Sequence, residues 1–356
     1  MLRNHLVLYL LLILSCSGKP ASDDVSTAGA SDQKEVVCFI YHRFDDSRYP
    51  STNTPVKDFE DHLLYLTKNN YQLLTFSEAI AYLQSDKPTK KTAVITIDDA
   101  FKSFYEKGLP LLKKYHVPAT LFINTKTVGG GDYMSWAQLK DATDHNVEIG
   151  NHTHSHDFFL DQPAATRYKT FKEEIELSQS LIEENMGITP TVFSYPYGEF
   201  DNEMKGIVKA AGFKAAAAQN SGVMYSGGDL FQCPRFPMSE AYSAKAKFIE
   251  KATMKAFSLT QITPDDCMLP ASNPPTLTLS FDAAGIRLNQ LQCFVQGGKC
   301  SFKITDKNKV TVTLQATAPL SKKRRTLYTL TAPDKNGAWH WYSHLWINPH
   351  IKGTNY

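Results

Sequence analysis

The chain has 356 residues, 42% hydrophobic and 21% charged, the balance of a globular protein with a substantial core. Lys and Arg number 38 against 36 Asp and Glu, a formal net charge of +2. So small an excess excludes a strongly basic nucleic-acid binder, and at about 150 residues per domain the length predicts two domains.

The N-terminus reads as a processing segment. Arg3 precedes the apolar run Leu6–Leu14, which is shorter than the roughly 20 residues needed to span a bilayer. The run ends in Ile13-Leu14-Ser15-Cys16, which resembles a bacterial lipobox, with Leu14 bulkier than that pattern usually has. The resemblance implies cleavage before Cys16, lipidation of Cys16, and a membrane-anchored lipoprotein in the periplasm or at the cell surface. The alternative is an ordinary secretory signal cleaved nearby. Residues 1–16 are then the signal and residues 17–35, rich in Ser, Ala, Asp and Gly, a flexible tether. Of the other cysteines, Cys293 and Cys300 flank Gly297-Gly298, where a hairpin would bring them together. Cys38 lies in an apolar run as a small buried hydrophobe, and with Cys233 and Cys267 the five leave at least one thiol free.

From Glu35 to about Phe257 strand and helix patterns alternate. Val36–Tyr41, Ala93–Ile97, Ala119–Ile123, Val147–Ile149, Thr191–Ser194, Phe213–Ala217 and Phe231–Phe236 read as buried strands. Phe59–Leu66, Phe101–Tyr115, Ser135–Ala142, Ala165–Asn185 and Asn202–Ala211 read as helices, with Ser135 an N-cap, and Gly187 and Gly212 as stops. Short apolar strands between helices mean a mostly parallel sheet covered on both faces, here a distorted (β/α) barrel of about seven strands over residues 36–260. After a Pro-rich linker, short alternating runs such as Lys309–Leu314 and Trp339–Ile347 predict a small antiparallel β-domain over residues 261–356.

Three motifs carry chemistry, each at the C-terminal end of a strand, where a barrel gathers its site. Asp98 and Asp99 end the run Ala93–Ile97. Burying two carboxylates is costly unless they pair or meet a cation, although they also suit the cap of the next helix. His152 and His156, in Asn151-His152-Thr153-His154-Ser155-His156, are four apart, so one helical turn would aim both the same way and His154 elsewhere. Two imidazoles and a carboxylate leave an open coordination position, as catalytic zinc requires; a solvated polar loop is the plainer alternative. Ser194-Tyr195-Pro196-Tyr197-Gly198 is a turn fixed by Pro and Gly. It can aim a backbone N–H at an oxyanion or serve as an ordinary βα connection.

In this order the motifs resemble those of the polysaccharide deacetylase family, carbohydrate esterase family 4, over about Val36–Phe257. Thr96-Ile97-Asp98-Asp99 is similar to Thr-Phe-Asp-Asp, His152–His156 to His-Ser/Thr-x-x-His/Ser, and Pro196-Tyr197-Gly198 to Pro-Tyr/Phe-Gly. The resemblance implies that Asp99, His152 and His156 hold one divalent metal, zinc first, with cobalt or nickel also suited. It makes Asp98 the general base and the Tyr197 N–H an oxyanion donor.

Two departures stand out. Thr191–Ser194, before the turn, contains no Arg; Arg235, in Cys233-Pro234-Arg235-Phe236-Pro237, can supply the guanidinium that orients the base. No Leu-x-His follows to give the acid. His42, in Tyr41-His42-Arg43-Phe44, ends the first strand, as in the circularly permuted branch of the family, where such a His protonates the leaving amine.

Trp136, beyond the Gly129–Gly131 loop, is a candidate to line a sugar site or simply to pack. Trp339, Trp341, Tyr342, His344 and Trp346 offer either a carbohydrate-binding surface or a packed core. The expected reaction is removal of acetyl from N-acetylglucosamine in a polysaccharide, peptidoglycan first and a poly-N-acetylglucosamine or chitin-type glycan next. The competing class is a non-catalytic glycan-binding lipoprotein. No nucleic-acid partner is expected.

Overall fold

The computed structural model describes residues 33–306 and 310–354. The expected leader, Cys16 and nearly all of the tether lie outside the described residues. Among the described residues no helix is long and apolar enough to cross a membrane.

Along the chain run β1 (Glu35–Tyr41), the two-residue pair β2 (Arg43–Phe44) and β3 (Asn53–Thr54), and α1 (Val56–Lys68). Then come β4 (Gln72–Leu74), α2 (Phe76–Leu83), β5 (Thr92–Asp98), α3 (Leu109–Tyr115), β6 (Ala119–Ile123), α4 (Trp136–Thr143) and β7 (Val147–Asn151). The alternation ends with α5 (Arg167–Met186), β8 (Val192–Ser194), α6 (Asn202–Ala210), β9 (Ala215–Ala217), β10 (Val223–Tyr225), β11 (Phe236–Pro237) and α7 (Lys245–Ala252). The central path is β10-β1-β5-β6-β7-β8-β9, with β4 beside β5 and β11 beside β1. All its pairings are parallel except β1 with β10. Residues Cys233–Pro237 bridge the two ends of this sheet, since Cys233 bridges Ala217 and Phe236 pairs with Phe39. The result is a distorted barrel.

Local chemistry explains the helix ends. Thr75 and Ser135 each form a capping box, with Glu78 and Gln138 respectively, so the first orphan N–H groups are satisfied from both sides. Gly187 takes the left-handed conformation that ends α5. The helix expected over Phe101–Tyr115 is interrupted: Phe104–Gly108 forms a widened π turn before α3. Pro110 lacks the N–H that a regular turn there would need. The strand expected over Phe231–Phe236 shrinks to Phe236–Pro237, because Pro234 has no donor for a ladder.

The C-terminal strands are β12 (Leu259–Thr263), β13 (Thr276–Phe281), β14 (Gln292–Val295), β15 (Cys300–Asp306), β16 (Val310–Ala316), β17 (Arg325–Pro333) and β18 (Trp339–Ile347). They form a four-stranded sheet, β12-β13-β16-β15, and a three-stranded sheet, β14-β17-β18. The smaller sheet is covered on both faces. Tyr328, Leu330 and Trp346 pack toward the four-stranded sheet, while Leu327, Leu345 and Ile347 join a core with Phe193 and Phe171 of the barrel. This is why β18 is buried continuously from Ser343 to Ile347, and why Trp346 and His344 are core residues. The Cys293–Cys300 disulfide ties β14 of one sheet to β15 of the other. Cys38, Cys233 and Cys267 are free and buried, and burial pushes the Cys38 thiol up to about 12.

Two buried histidines sit in the walls. His62 on α1 stacks on Phe248 of α7 at 3.9 Å, contacts the Tyr41 hydroxyl at 2.9 Å and the Ser243 carbonyl at 2.6 Å. Burial lowers His62 and His344 to about 4 each. The unfolded chain takes up these protons first, near pH 6.5. Their stabilising effect is therefore complete above about pH 6.5 and is lost as the pH falls toward 4. At pH 5 the loss is about 2 kcal/mol per histidine. Urea unfolding across this window should show a His62→Gln variant with a slope against pH smaller by up to one proton; an unchanged slope would contradict this account.

Candidate active site

Every motif residue emerges at the C-terminal edge of the barrel sheet. Asp98 is the last residue of β5, and Asp99 follows it with a φ of 73°. His152 follows β7, Tyr197 follows β8, and His42 follows β1.

Asp98 is fully buried. Arg235, equally buried, meets it in a fork: Nη1 donates to Oδ1 and Nη2 to Oδ2, both at 2.8 Å. The guanidinium also donates to the Ala218 carbonyl (2.8 Å), Thr96 Oγ1 (3.1 Å) and Ser194 Oγ (3.0 Å). Ser194 Oγ in turn donates to Asp98 Oδ2 at 3.3 Å. Burial pushes the Asp98 carboxyl up, but Arg235, with His152, outweighs it and holds the group well below the usual carboxylate range. Asp98 therefore stays ionised.

Asp99, His152 and His156 converge beside it. The Asp99 Oδ1 atom lies 3.7 Å from His152 Nε2 and 3.4 Å from His156 Nε2. One ligand atom from each of the three lies within 4.8 Å of the others, so the triad is able to hold a metal ion. Donors at about 2.0–2.2 Å around a tetrahedral ion stand roughly 3.3 Å apart, close to these spacings. The Nδ1 atom of His152 sits 2.7 Å from the Ser194 carbonyl; donating there commits its proton and leaves Nε2 with a lone pair facing the site. Burial lowers both imidazoles to about 4, so they are neutral, as ligation requires. Asp99 is raised by burial, the direction expected of a buried carboxylate awaiting a cation. Asn124, at the end of β6, donates to Asp99 Oδ1 at 3.0 Å.

The two histidines do not share a helical turn, as their spacing predicts. Residues 152–156 form an irregular loop with positive φ at Thr153 (66°) and His156 (58°). Side chains replace the helix ladder: Asn151 Oδ1 accepts from Thr153 N–H, Thr153 Oγ1 from His156 N–H, and Glu174 from Ser155 N–H. His154 points away, to Thr125.

Tyr197 has φ 58°, and Gly198, with φ 68°, has no room for a Cβ, which would fall 2.5 Å from Gln219. The Tyr197 ring stacks on Phe158 at 3.6 Å and meets His156 edge-on at 4.4 Å. Its carbonyl accepts from Arg325 at the start of β17 (2.8 Å). Neighbouring Arg324 grips both Glu199 oxygens and Asp161. A cleft of about 590 Å³ is lined by His42, Asp99, His156, Tyr197, Tyr242 and Arg325 among others.

Trp136 is not brought to this cleft. As the first residue of α4 it packs, partly buried, against the main barrel core. The sequence pattern assigns no role to Asn124 or, within the third motif, to the Ser194 hydroxyl, although both stand at the ends of buried strands. Arg324 and Arg325 carried no usable signal, standing more than 120 residues from their partners.

The chain is similar to known proteins in sequence and fold. Residues 85–216 match the family model described as polysaccharide deacetylase. A Bacillus subtilis protein named as a polysaccharide deacetylase, YxkH, is 29% identical over 227 residues, covering 63% of this chain and 79% of its own. The Staphylococcus aureus poly-beta-1,6-N-acetyl-D-glucosamine N-deacetylase is 25% identical over 212 residues, 57% of this chain and 73% of its own. The fold is shared with the Streptococcus pyogenes deacetylase PplD, at a TM-score of 0.56 and 19% identity, over 62% of this chain and 99% of that one. The chain therefore carries a polysaccharide deacetylase domain.

Replacing Arg235 with Ala leaves the Asp98 charge buried and unpaired. We expect a loss of about 3–5 kcal/mol in urea unfolding. An Asp98→Asn, Arg235→Ala double variant should recover part of it; equal losses in the single and double variants would contradict the pairing.

Proposed function

We propose that this protein is a metal-dependent de-N-acetylase of an N-acetylglucosamine polymer. The observation that carries the reading is the ionised, Arg-held carboxylate of Asp98 beside the Asp99, His152 and His156 triad, whose Asp99 and His156 line the cleft. Asp99, His152 and His156 would hold a divalent ion, zinc by donor chemistry with cobalt or nickel also suited, which when bound acidifies water and polarises a carbonyl.

The chain's own residues do the rest. Asp98, kept ionised and oriented by Arg235, accepts the proton of the attacking water. The Tyr197 backbone N–H donates to the oxygen where negative charge develops, and Arg325 and the Phe158 stack fix that turn. His42, lining the same cleft, protonates the departing amine. A His from the first strand in this role corresponds to the circularly permuted branch.

The relatives favour poly-β-1,6-N-acetylglucosamine as the polymer, since several are named for it. Peptidoglycan is the second reading, favoured by the lipobox-like Ile13–Cys16 and the exported, membrane-anchored location it implies. Residues 36–260 would be the catalytic domain and residues 261–356 a β-domain that completes the cleft.

Acetate release should be measured from both glycans with zinc or cobalt added. Asp98→Asn should lower release by about 100-fold or more while retaining metal. His152→Ala should lose both metal and activity. Release by Asp98→Asn at the wild-type rate would refute the base assignment; no release by the wild type from any glycan would favour a non-catalytic glycan-binding protein.

A further inference from the structure

The active-site cleft does not end at the barrel. It continues into a second cavity along the junction with the three-stranded sheet, and the two share Gln219, Pro237, Tyr242, Gln296 and Leu327 as lining. The register explains the continuity. Arg325, Leu327 and Thr329 alternate along β17, so they lie on one face of the sheet. Phe294 pairs with Thr329 from β14, and the Gln296 N–H bonds to the Leu327 carbonyl, which carries this face across to the sheet edge. One sheet face thus runs from the Arg325 contact with the Tyr197 turn to Phe294 in the outer cavity.

Two large rings are exposed along this path, Tyr242 at 48% and Phe294 at 50%. Tyr242 stands on the barrel side and Phe294 on the β-domain side. Neither stacks on another ring or a cation among the described residues. Trp341, farther along, already has Lys251 over its ring at 4.1 Å. Exposed aromatic faces beside amide and hydroxyl groups (Gln219, Gln296, Ser221) are what a sugar ring needs: an apolar face for its C–H groups and partners for its hydroxyls.

We infer that the channel between barrel and β-domain is an extended subsite for the glycan chain, with sugar units flanking the reacting one resting on Tyr242 and Phe294. The occupant is a polymer of N-acetylglucosamine, and the β-domain acts as the second wall of a chain-length-reading groove. This rests on the deacetylase reading for its catalytic arm but not for its binding arm.

The test compares β-linked N-acetylglucosamine disaccharide and hexasaccharide. With zinc-loaded full-length protein, kcat/KM for acetate release should rise about tenfold or more from disaccharide to hexasaccharide. Phe294→Ala should lower that ratio about fivefold, the scale of one lost aromatic contact. Because the ratio is taken within one protein, partial unfolding cancels. In the second arm, calorimetric binding of the hexasaccharide to chelator-treated protein should weaken to a similar extent in Phe294→Ala. Equal kcat/KM for both lengths, or a Phe294→Ala variant keeping both the wild-type ratio and the wild-type affinity, would overturn the groove. Failure to release acetate from either sugar, with hexasaccharide binding still lost in Phe294→Ala, would instead overturn the deacetylase reading and leave the groove standing.

Discussion

A charged carboxylate with no solvent exposure is tolerable only if its charge is met locally, and in this protein Arg235 meets Asp98 with two parallel hydrogen bonds. The same guanidinium reaches the Ala218 carbonyl, Thr96 and Ser194, so one side chain joins the ends of β5, β8 and β9. Arg235 itself rides on the segment that bridges β9 to β1. Closure of the sheet and ionisation of Asp98 are therefore one interaction. Without the bridge there is no guanidinium, and without the guanidinium the buried carboxylate would be driven toward its neutral form.

Around that pair the backbone is bent into conformations that L-residues seldom adopt. Asp99, Ala100, Thr153, His156 and Tyr197 all have φ between 55° and 73°. Each such residue costs of order 1–3 kcal/mol and persists only where its surroundings fix it. Here they do so by local bonds: Asn151 and Thr153 cap the histidine loop, Phe122 O accepts from Asp99 N–H, and Arg325 holds the Tyr197 carbonyl. The reward is convergence, since a regular helix or strand could not aim Asp99, His152 and His156 at a single point.

The β-domain contributes to the site through its packing. Its three-stranded sheet is buried on both faces, so β17 and β18 are fixed against the barrel before any substrate arrives. Arg324 is neutralised by Glu199 and Asp161 at this junction. Arg325, next along the chain, also reaches Glu199 at 3.7 Å and braces the Tyr197 turn. The tertiary role of Trp346 and His344 is accordingly structural; of the exposed aromatics of the β-domain, Phe294 lines the outer cavity, while Phe302 and Trp339 stand outside it.

Local sequence patterns specify the alternating barrel, the strand-end placement of Asp98, Asp99, His152, Tyr197 and His42 and the N-cap at Ser135, and they make Cys293 and Cys300 candidates to pair. Each of these follows from local patterns: apolar runs of strand length, capping residues, and a Gly-Gly turn between two cysteines. What the residue pattern could not give was geometry that depends on distant partners. The four-residue spacing of His152 and His156 pointed to a helical turn, whereas Asn151, Thr153 and Glu174 select an irregular loop. Trp136 suits a sugar face and a core equally by its sequence position, and the core holds it. Arg235 was nameable as a guanidinium source, yet its fork onto Asp98 spans 137 residues. Arg325 reaches Tyr197 across 128. Local propensity is written in neighbouring residues, while the pairing of a buried charge is settled only when the sheet closes and excludes water from it.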